Sequence, residues 1–293
     1  MHTTILSGPT GTELIRRGVR LPDRAWSADA VESAPEIISD IHADYAAAGA
    51  TVHVACTFRT QPAIFPDEFA RLTAAAVRLC RESVPSHHRV AGSLAPIADC
   101  YDPAASPPES RARPLHAHMA RALADAGVDL VVCETFPNPA EALIALDEAL
   151  KVGLEAWFSL TPGPDGRLLS PEQVRAGAAA AIARGASAVM VNCSPPQRTI
   201  DYVLALRTAL NASTRRGVVI GASANAGDRS LGLGWSAWTG ERCTTGDPTL
   251  DPPAARFADL AATWRDAGAS ILGGCCGTDP THAAALARRL GVI

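Results

Sequence analysis

A (β/α)8 TIM barrel is the fold this sequence predicts, on three observations. Eight short, nearly all-apolar runs alternate with eight alanine-rich helical stretches. A glycine placed just after a helical stretch and just before an apolar run recurs four times, at Gly49, Gly127, Gly185 and Gly268. No G-x-G-x-x-G loop follows the first run, although an open doubly wound sheet, the alternative arrangement, usually carries one there. Parallel strands covered on both faces are apolar throughout rather than alternating. Strands that alternate with helices in this way build a parallel sheet with the helices outside.

The strands are expected at 4–7 (TILS), 51–55 (TVHVA), 89–94 (RVAGSL), 129–134 (DLVVCE), 155–160 (EAWFSL), 187–192 (SAVMVN), 217–222 (GVVIGA) and 270–274 (SILGG). Helices fit between them at 35–48, 67–83, 113–126, 139–152, 171–184, 198–211, 253–267 and 280–290. Pro171 and Pro280 stand where a proline suits a first helical turn. The four glycines stand where a left-handed residue ends a helix. Two connections are long, 95–112 after the third strand and 223–252 after the seventh. Both emerge at the C-terminal mouth of a barrel, where active sites form. No low-complexity linker divides the chain, so residues 1–293 are expected to form one domain.

Hydrophobic residues make up 47% of the chain and charged residues 19%, the latter below the roughly 25% of an average protein. That composition supports a large packed core. The formal net charge is −4, which gives no electrostatic basis for nucleic-acid or anionic-membrane partners. The opening segment MHTTILSGPTG has neither a basic region nor an apolar stretch of secretory type. The expectation is a cytoplasmic protein with small-molecule partners. Nothing in the sequence sets its oligomeric state.

Eight cysteines are present. Cys56, Cys80, Cys100, Cys133 and Cys243 stand apart from one another and are expected mainly as buried small hydrophobes. The other three are placed by the barrel. Cys193 follows the sixth strand in VNCSPP, and Cys275 and Cys276 follow the eighth in GGCCGT. Strand ends of a barrel meet at one mouth, so three thiols distant in sequence can converge. Neighbouring residues of a strand point to opposite faces, so Cys275 and Cys276 can share one ion only if the backbone leaves the extended form. Gly273, Gly274 and Gly277 supply that freedom.

Three thiolates suit Zn2+, and a fourth open position suits a catalytic site. Thiolate-rich zinc activates water poorly and is better suited to holding an incoming thiol deprotonated. A buried or redox-active cysteine pair, with Cys193 elsewhere, is the alternative for Cys275 and Cys276. Cys243 and His282 are candidates for a fourth protein ligand if the zinc is structural.

The segments SGPTGTEL, CETFPNPAEA, VNCS and GGCCGT, taken in order, resemble the zinc-dependent homocysteine S-methyltransferase family, in its single-barrel, small-donor form. The resemblance runs along nearly the whole chain and is most specific at GGCCGT with the upstream Asn-Cys. It implies a (β/α)8 barrel with zinc on Cys193, Cys275 and Cys276. It also implies methyl transfer to a zinc-bound thiol, usually homocysteine, giving methionine. Glu134 matches the acid that receives the substrate ammonium. Ser7, Gly8, Trp26, Phe58 and Asn192 fall at positions of the thiol pocket. One position departs: Ser7-Gly8-Pro9 stands where the family usually has Asp-Gly-Gly or Asp-Gly-Ala. Serine accepts a hydrogen bond but brings no charge.

Single-barrel members of that family use small onium donors of the S-methylmethionine, S-adenosylmethionine or betaine kind. Asn225 lies near the donor-side loop. Trp235 and Trp238 offer aromatic faces to a methylated cation, or else pack their loop. Three other functions are weighed beside homocysteine methylation. Ser7 motivates a methyltransferase for a different thiol, or a barrel that binds its ligand without turnover. A zinc hydrolase is disfavoured because no H-E-x-x-H motif is present.

Overall fold

The computed structural model describes residues 3–228, 230–237, 239–243 and 249–293. Eight strands pair in parallel in the order β1-β8-β7-β6-β5-β4-β3-β2. They are β1 Thr4–Ile5, β2 Val52–Val54, β3 Arg89–Leu94, β4 Leu130–Phe136, β5 Ala156–Leu160, β6 Ala188–Ser194, β7 Val219–Ala224 and β8 Ala269–Gly274. Around them lie α1 Thr10–Arg16, α2 Ala30–Ser33, α3 Pro35–Ala47, α4 Phe69–Ser83, α5 Glu109–Asp125, α6 Pro139–Lys151, α7 Pro171–Arg184, α8 Thr199–Asn211, α9 Pro253–Asp266 and α10 Pro280–Arg289. The architecture is the (β/α)8 barrel expected. Among the described residues, no helix is long and apolar enough to cross a membrane.

The seam between β1 and β2 closes the barrel with few backbone bonds. Leu6 bridges Val52, Ser7 N donates to the Val52 carbonyl at 2.9 Å, and Thr51 N donates to the Ile5 carbonyl at 3.0 Å. A side chain completes the seam: Ser7 Oγ accepts from Val54 N at 3.0 Å. Ser7 thus satisfies a strand amide that would otherwise lack an acceptor.

Two apolar layers form the core. Inside the barrel pack Leu6, Val52, Ala91, Leu130, Val132, Trp157, Ala188, Met190 and Ile271. No β7 side chain joins them, because Met190 fills the space beside Gly221, where a Cβ would meet its Cε at 2.7 Å. The larger layer lies between strands and helices and includes the fully buried Tyr45, Phe136, Phe158, Tyr202, Phe257 and Trp264.

Helix starts follow local chemistry. Pro171 and Pro280 each open a helix behind a capping box, Ser170 with Gln173 and Asp279 with His282. The glycines at 49, 127, 185 and 268 all have positive φ. Two short helices, α1 and α2, carry too little periodicity to be expected from sequence. Helix α5 begins at Glu109, four residues before the expected 113, and takes Pro114 into its interior. Strands β4 and β6 each run two residues past their expected ends, to 136 and 194. Both extensions pass through a register shift at a left-handed residue, Thr135 with φ 62° and Cys193 with φ 51°.

Candidate metal and substrate site

The mouth of the barrel holds a cavity of about 1100 Å³. Cys193, Cys275 and Cys276 all line it, and their sulfur atoms lie within 4.8 Å of one another. Tetrahedral zinc with sulfur at about 2.3 Å would set two sulfurs roughly 3.8 Å apart, so the donor set fits one thiophilic ion. The sulfurs of Cys193 and Cys275 are in direct contact, as in a disulfide, with Cα atoms 5.5 Å apart. A disulfide offers no thiolate, so metal binding belongs to the reduced pair.

Local structure explains how the three thiols meet. Strand β8 ends at Gly274, so Cys275 and Cys276 lie beyond it, where the chain turns. The glycines act less uniformly than their freedom alone suggests. Only Gly277, with φ 82°, uses the left-handed region. Gly274 is needed for closeness: a Cβ there would sit 2.3 Å from Thr278 Oγ1. On β6, the left-handed backbone at Cys193 breaks the strand's alternation and turns this one residue. A non-glycine residue held there is strained, as at many functional sites.

Asn192 ties this bulge to the one on β4. Its Oδ1 accepts from Thr135 N at 3.0 Å and from Ser159 Oγ at 2.7 Å. Its Nδ2 donates to Thr135 Oγ1 at 2.7 Å and lies 3.6 Å from Cys193 Sγ. Asn192 is buried and does not line the cavity. It therefore acts as a strut behind the thiol, a correction to the pocket-wall position expected of it.

Glu134 precedes the left-handed Thr135 and faces the cavity. Removal from water pushes its carboxyl up to about 7, opposed by a hydrogen bond from Ser93 Oγ at 2.5 Å. Burial pushes the Cys276 thiol up to about 11, and the charge of Glu134 adds to that rise.

Ser7, Gly8, Trp26, Phe58 and Asn225 also line the cavity. Gly8 is closely covered by Tyr45, and Trp26 Nε1 lies against Gly11. Ser7 spends its acceptor on Val54 N. Asn225 Oδ1 is buried with no hydrogen-bond partner among the described residues.

Trp235 does not line the cavity. Its Nε1 donates to Asp279 Oδ2 at 2.7 Å, and the guanidinium groups of Arg16 and Arg242 lie 5.4 and 5.3 Å from its ring centre. Those contacts pack it into its loop, away from the cavity. Trp238 lies outside the described residues. Neither Cys243 nor His282 joins the thiol trio. Cys243 Sγ donates to the Gly227 carbonyl at 3.6 Å, and His282 Nε2 to the Leu233 carbonyl at 2.7 Å. Sequence reasoning passed over Ser93, Cys100 and Tyr101, all of which line the cavity. Cys100 and Tyr101 fall in the long connection after β3, and that length was the available signal.

The family model for homocysteine S-methyltransferase matches residues 4–290, and the chain belongs to that family. Homocysteine S-methyltransferase of Escherichia coli K12 is 30% identical to it, over 97% of this chain and 94% of that protein. Selenocysteine methyltransferase of Astragalus bisulcatus is 26% identical, over 95% of this chain and 90% of that protein. The metallated crystal form of the E. coli homocysteine methyltransferase MmuM superposes with a TM-score of 0.78 at 26% identity. That match covers 99% of this chain and 96% of that one. Family members act on small molecules, a thiol and a methyl donor.

Proposed function

We propose that this chain transfers a methyl group from a small sulfonium donor, of the S-methylmethionine or S-adenosylmethionine class, to homocysteine, giving methionine. A zinc ion held by Cys193, Cys275 and Cys276 is part of the proposal. The observation that carries it is the gathering of these three thiols in one cavity with the half-buried Glu134 carboxylate. Bound zinc would supply the Lewis acidity that keeps the acceptor thiol deprotonated at neutral pH.

The chain's own residues perform the remaining tasks. Glu134 receives the acceptor's ammonium group, and that charge favours its ionised form over the protonated one that burial promotes. Ser93 fixes the carboxylate that makes this contact. Phe58 and Trp26 line the cavity and keep water from the acceptor sulfur. Asn225 offers its unpartnered oxygen to a donor on the opposite side. The reaction needs no general acid, because a sulfonium leaves as a neutral sulfide. Orientation of sulfur and methyl carbon therefore supplies most of the acceleration.

The test uses reduced, zinc-loaded protein assayed for methyl transfer across a matrix of thiols and onium donors. About one zinc per chain and methionine formation from homocysteine are expected. Cys276→Ser retaining wild-type zinc content would sink the ligand assignment. Turnover with another thiol but not with homocysteine would favour the second reading, in which Ser7 marks a different acceptor.

A further inference from the structure

We propose that Arg59 binds the α-carboxylate of the amino-thiol acceptor, beside the ammonium group that Glu134 receives. This rests on the homocysteine reading above, which gives the ammonium a partner and leaves the carboxylate without one. A carboxylate moved from water into a cavity needs a charged or hydrogen-bonding partner.

The cavity limits the choice. Among the described residues, Arg24, Arg59 and Arg111 are the cations that line it. Arg24 and Arg111 are exposed, where water and salt screen their charge, whereas Arg59 is half-buried.

Position points the same way. Arg59 stands two residues beyond Thr57, on the connection after β2. Thr57 Oγ1 accepts from Ser93 N at 2.8 Å and donates to the Ser93 carbonyl at 3.0 Å. Ser93 Oγ in turn donates to Glu134 Oε1 at 2.5 Å. The adjacent strand ends β2, β3 and β4 therefore bring a guanidinium and a carboxylate to one side of the cavity. An α-amino acid carries its ammonium and its carboxylate on one carbon, so both partners must come from one side.

Arg59 is also held ready. Its Nη1 donates to the Ala98 carbonyl at 3.1 Å, and its Cζ lies 5.1 Å from the centre of the Phe58 ring. The buried Gln61 clamps the two connections beside it, donating to the Phe58 carbonyl at 2.9 Å and to the Pro96 carbonyl at 3.0 Å. Among the described residues no carboxylate pairs with Arg59. Asp99, next to Ala98, accepts from Tyr101 N at 2.8 Å instead. A guanidinium has five N–H donors, so those left over can receive both oxygens of one carboxylate. A fork already fixed in place loses little freedom on binding.

The test measures methyl transfer from S-methylmethionine by reduced, zinc-loaded wild-type protein and by Arg59→Gln. The acceptors are homocysteine and aminopropanethiol, which is homocysteine without its carboxyl group. Wild-type protein should show a KM at least about 10-fold lower for homocysteine than for aminopropanethiol. Arg59→Gln should raise the homocysteine KM about 10- to 100-fold and change kcat little. The KM values for aminopropanethiol and for S-methylmethionine should stay as in the wild type. Arg59→Lys restores the charge without the fork and should recover part of the loss; it carries the test if the glutamine variant does not fold. An unchanged homocysteine KM overturns the inference. An equal rise for both thiols assigns Arg59 to holding the Ala98 connection, and a rise for the donor alone assigns it to the donor's carboxylate; each overturns the inference as well. So does a wild-type protein that takes the two thiols equally well. A wild-type protein that methylates neither thiol overturns the homocysteine reading and the inference together.

Discussion

Glu134→Gln should stabilise the ligand-free protein at alkaline pH while damaging its binding of amino thiols. The carboxyl is pushed from an ordinary 4.5 up to about 7 because the cavity foot removes it from water. A group whose folded-state pKa is raised in this way contributes its stability fully below the unfolded value. That contribution is lost as pH rises through the folded value. The shift of roughly 2.5 pH units corresponds to about 3 kcal/mol lost between pH 4.5 and 8.5. Glutamine keeps the acceptor for Ser93 and never ionises. The variant should therefore match the wild type near pH 4.5 and exceed it by up to about 3 kcal/mol at pH 8.5. Urea denaturation of reduced, metal-free protein at several pH values measures this directly, since the thiols that feel the Glu134 charge, Cys133 and Cys276, are both pushed well above this pH range by burial. A stability difference that stays constant from pH 4.5 to 8.5 would refute the reasoning. The cost appears in binding. Loss of a charge-assisted contact worth about 1.5–3 kcal/mol should raise KM for homocysteine about 10- to 100-fold. A thiol that lacks an amino group should be unaffected.

Ser7→Ala leaves Val54 N without its acceptor at the barrel seam and should lose about 1–3 kcal/mol in denaturant titration. Ser7→Asp keeps an acceptor there and adds a charge toward the ammonium, so KM for homocysteine should fall about tenfold; an unchanged KM would assign Ser7 to the seam alone. In Gly274→Ala the new methyl meets Thr278, which must displace the turn holding Cys275 and Cys276. Zinc per chain, measured by atomic emission, should drop well below that of the wild type. Asp279 caps its helix by accepting from Thr281 N and His282 N; against the rise that burial would cause, its contacts with the His282 ring, Thr281 Oγ1 and Trp235 Nε1 hold its carboxyl far below the usual 3.8. Asp279→Ala should cost about 2 kcal/mol at neutral pH. That deficit should shrink as acid pH falls below 3.8, because a depressed carboxyl loses its contribution on protonation.

The strand and helix succession was legible because buried parallel strands leave uninterrupted apolar runs and helices leave capping residues. Pro171, Pro280 and the four inter-element glycines marked boundaries that the structure places within a few residues. The bulges at Thr135 and Cys193 left no such mark, since a left-handed threonine or cysteine looks like any other strand residue. Trp235 was ambiguous because an aromatic ring suits a cation site and a packed loop equally. Only the neighbours Arg16, Arg242 and Asp279 decided between them. Asn192 lies behind the cavity wall and Ser7 lines it, and both spend hydrogen bonds on the barrel itself.

By itself the sequence determined the barrel and the convergence of Cys193, Cys275 and Cys276, because apolar periodicity sets the topology and topology sends every strand's C-terminal end to one mouth. The tertiary structure alone decided which side chains serve the cavity and which brace it. That choice depends on side-chain direction and on partners far away in the chain. Asn192 accepting from Thr135 N across 57 residues is a contact that no local spacing encodes.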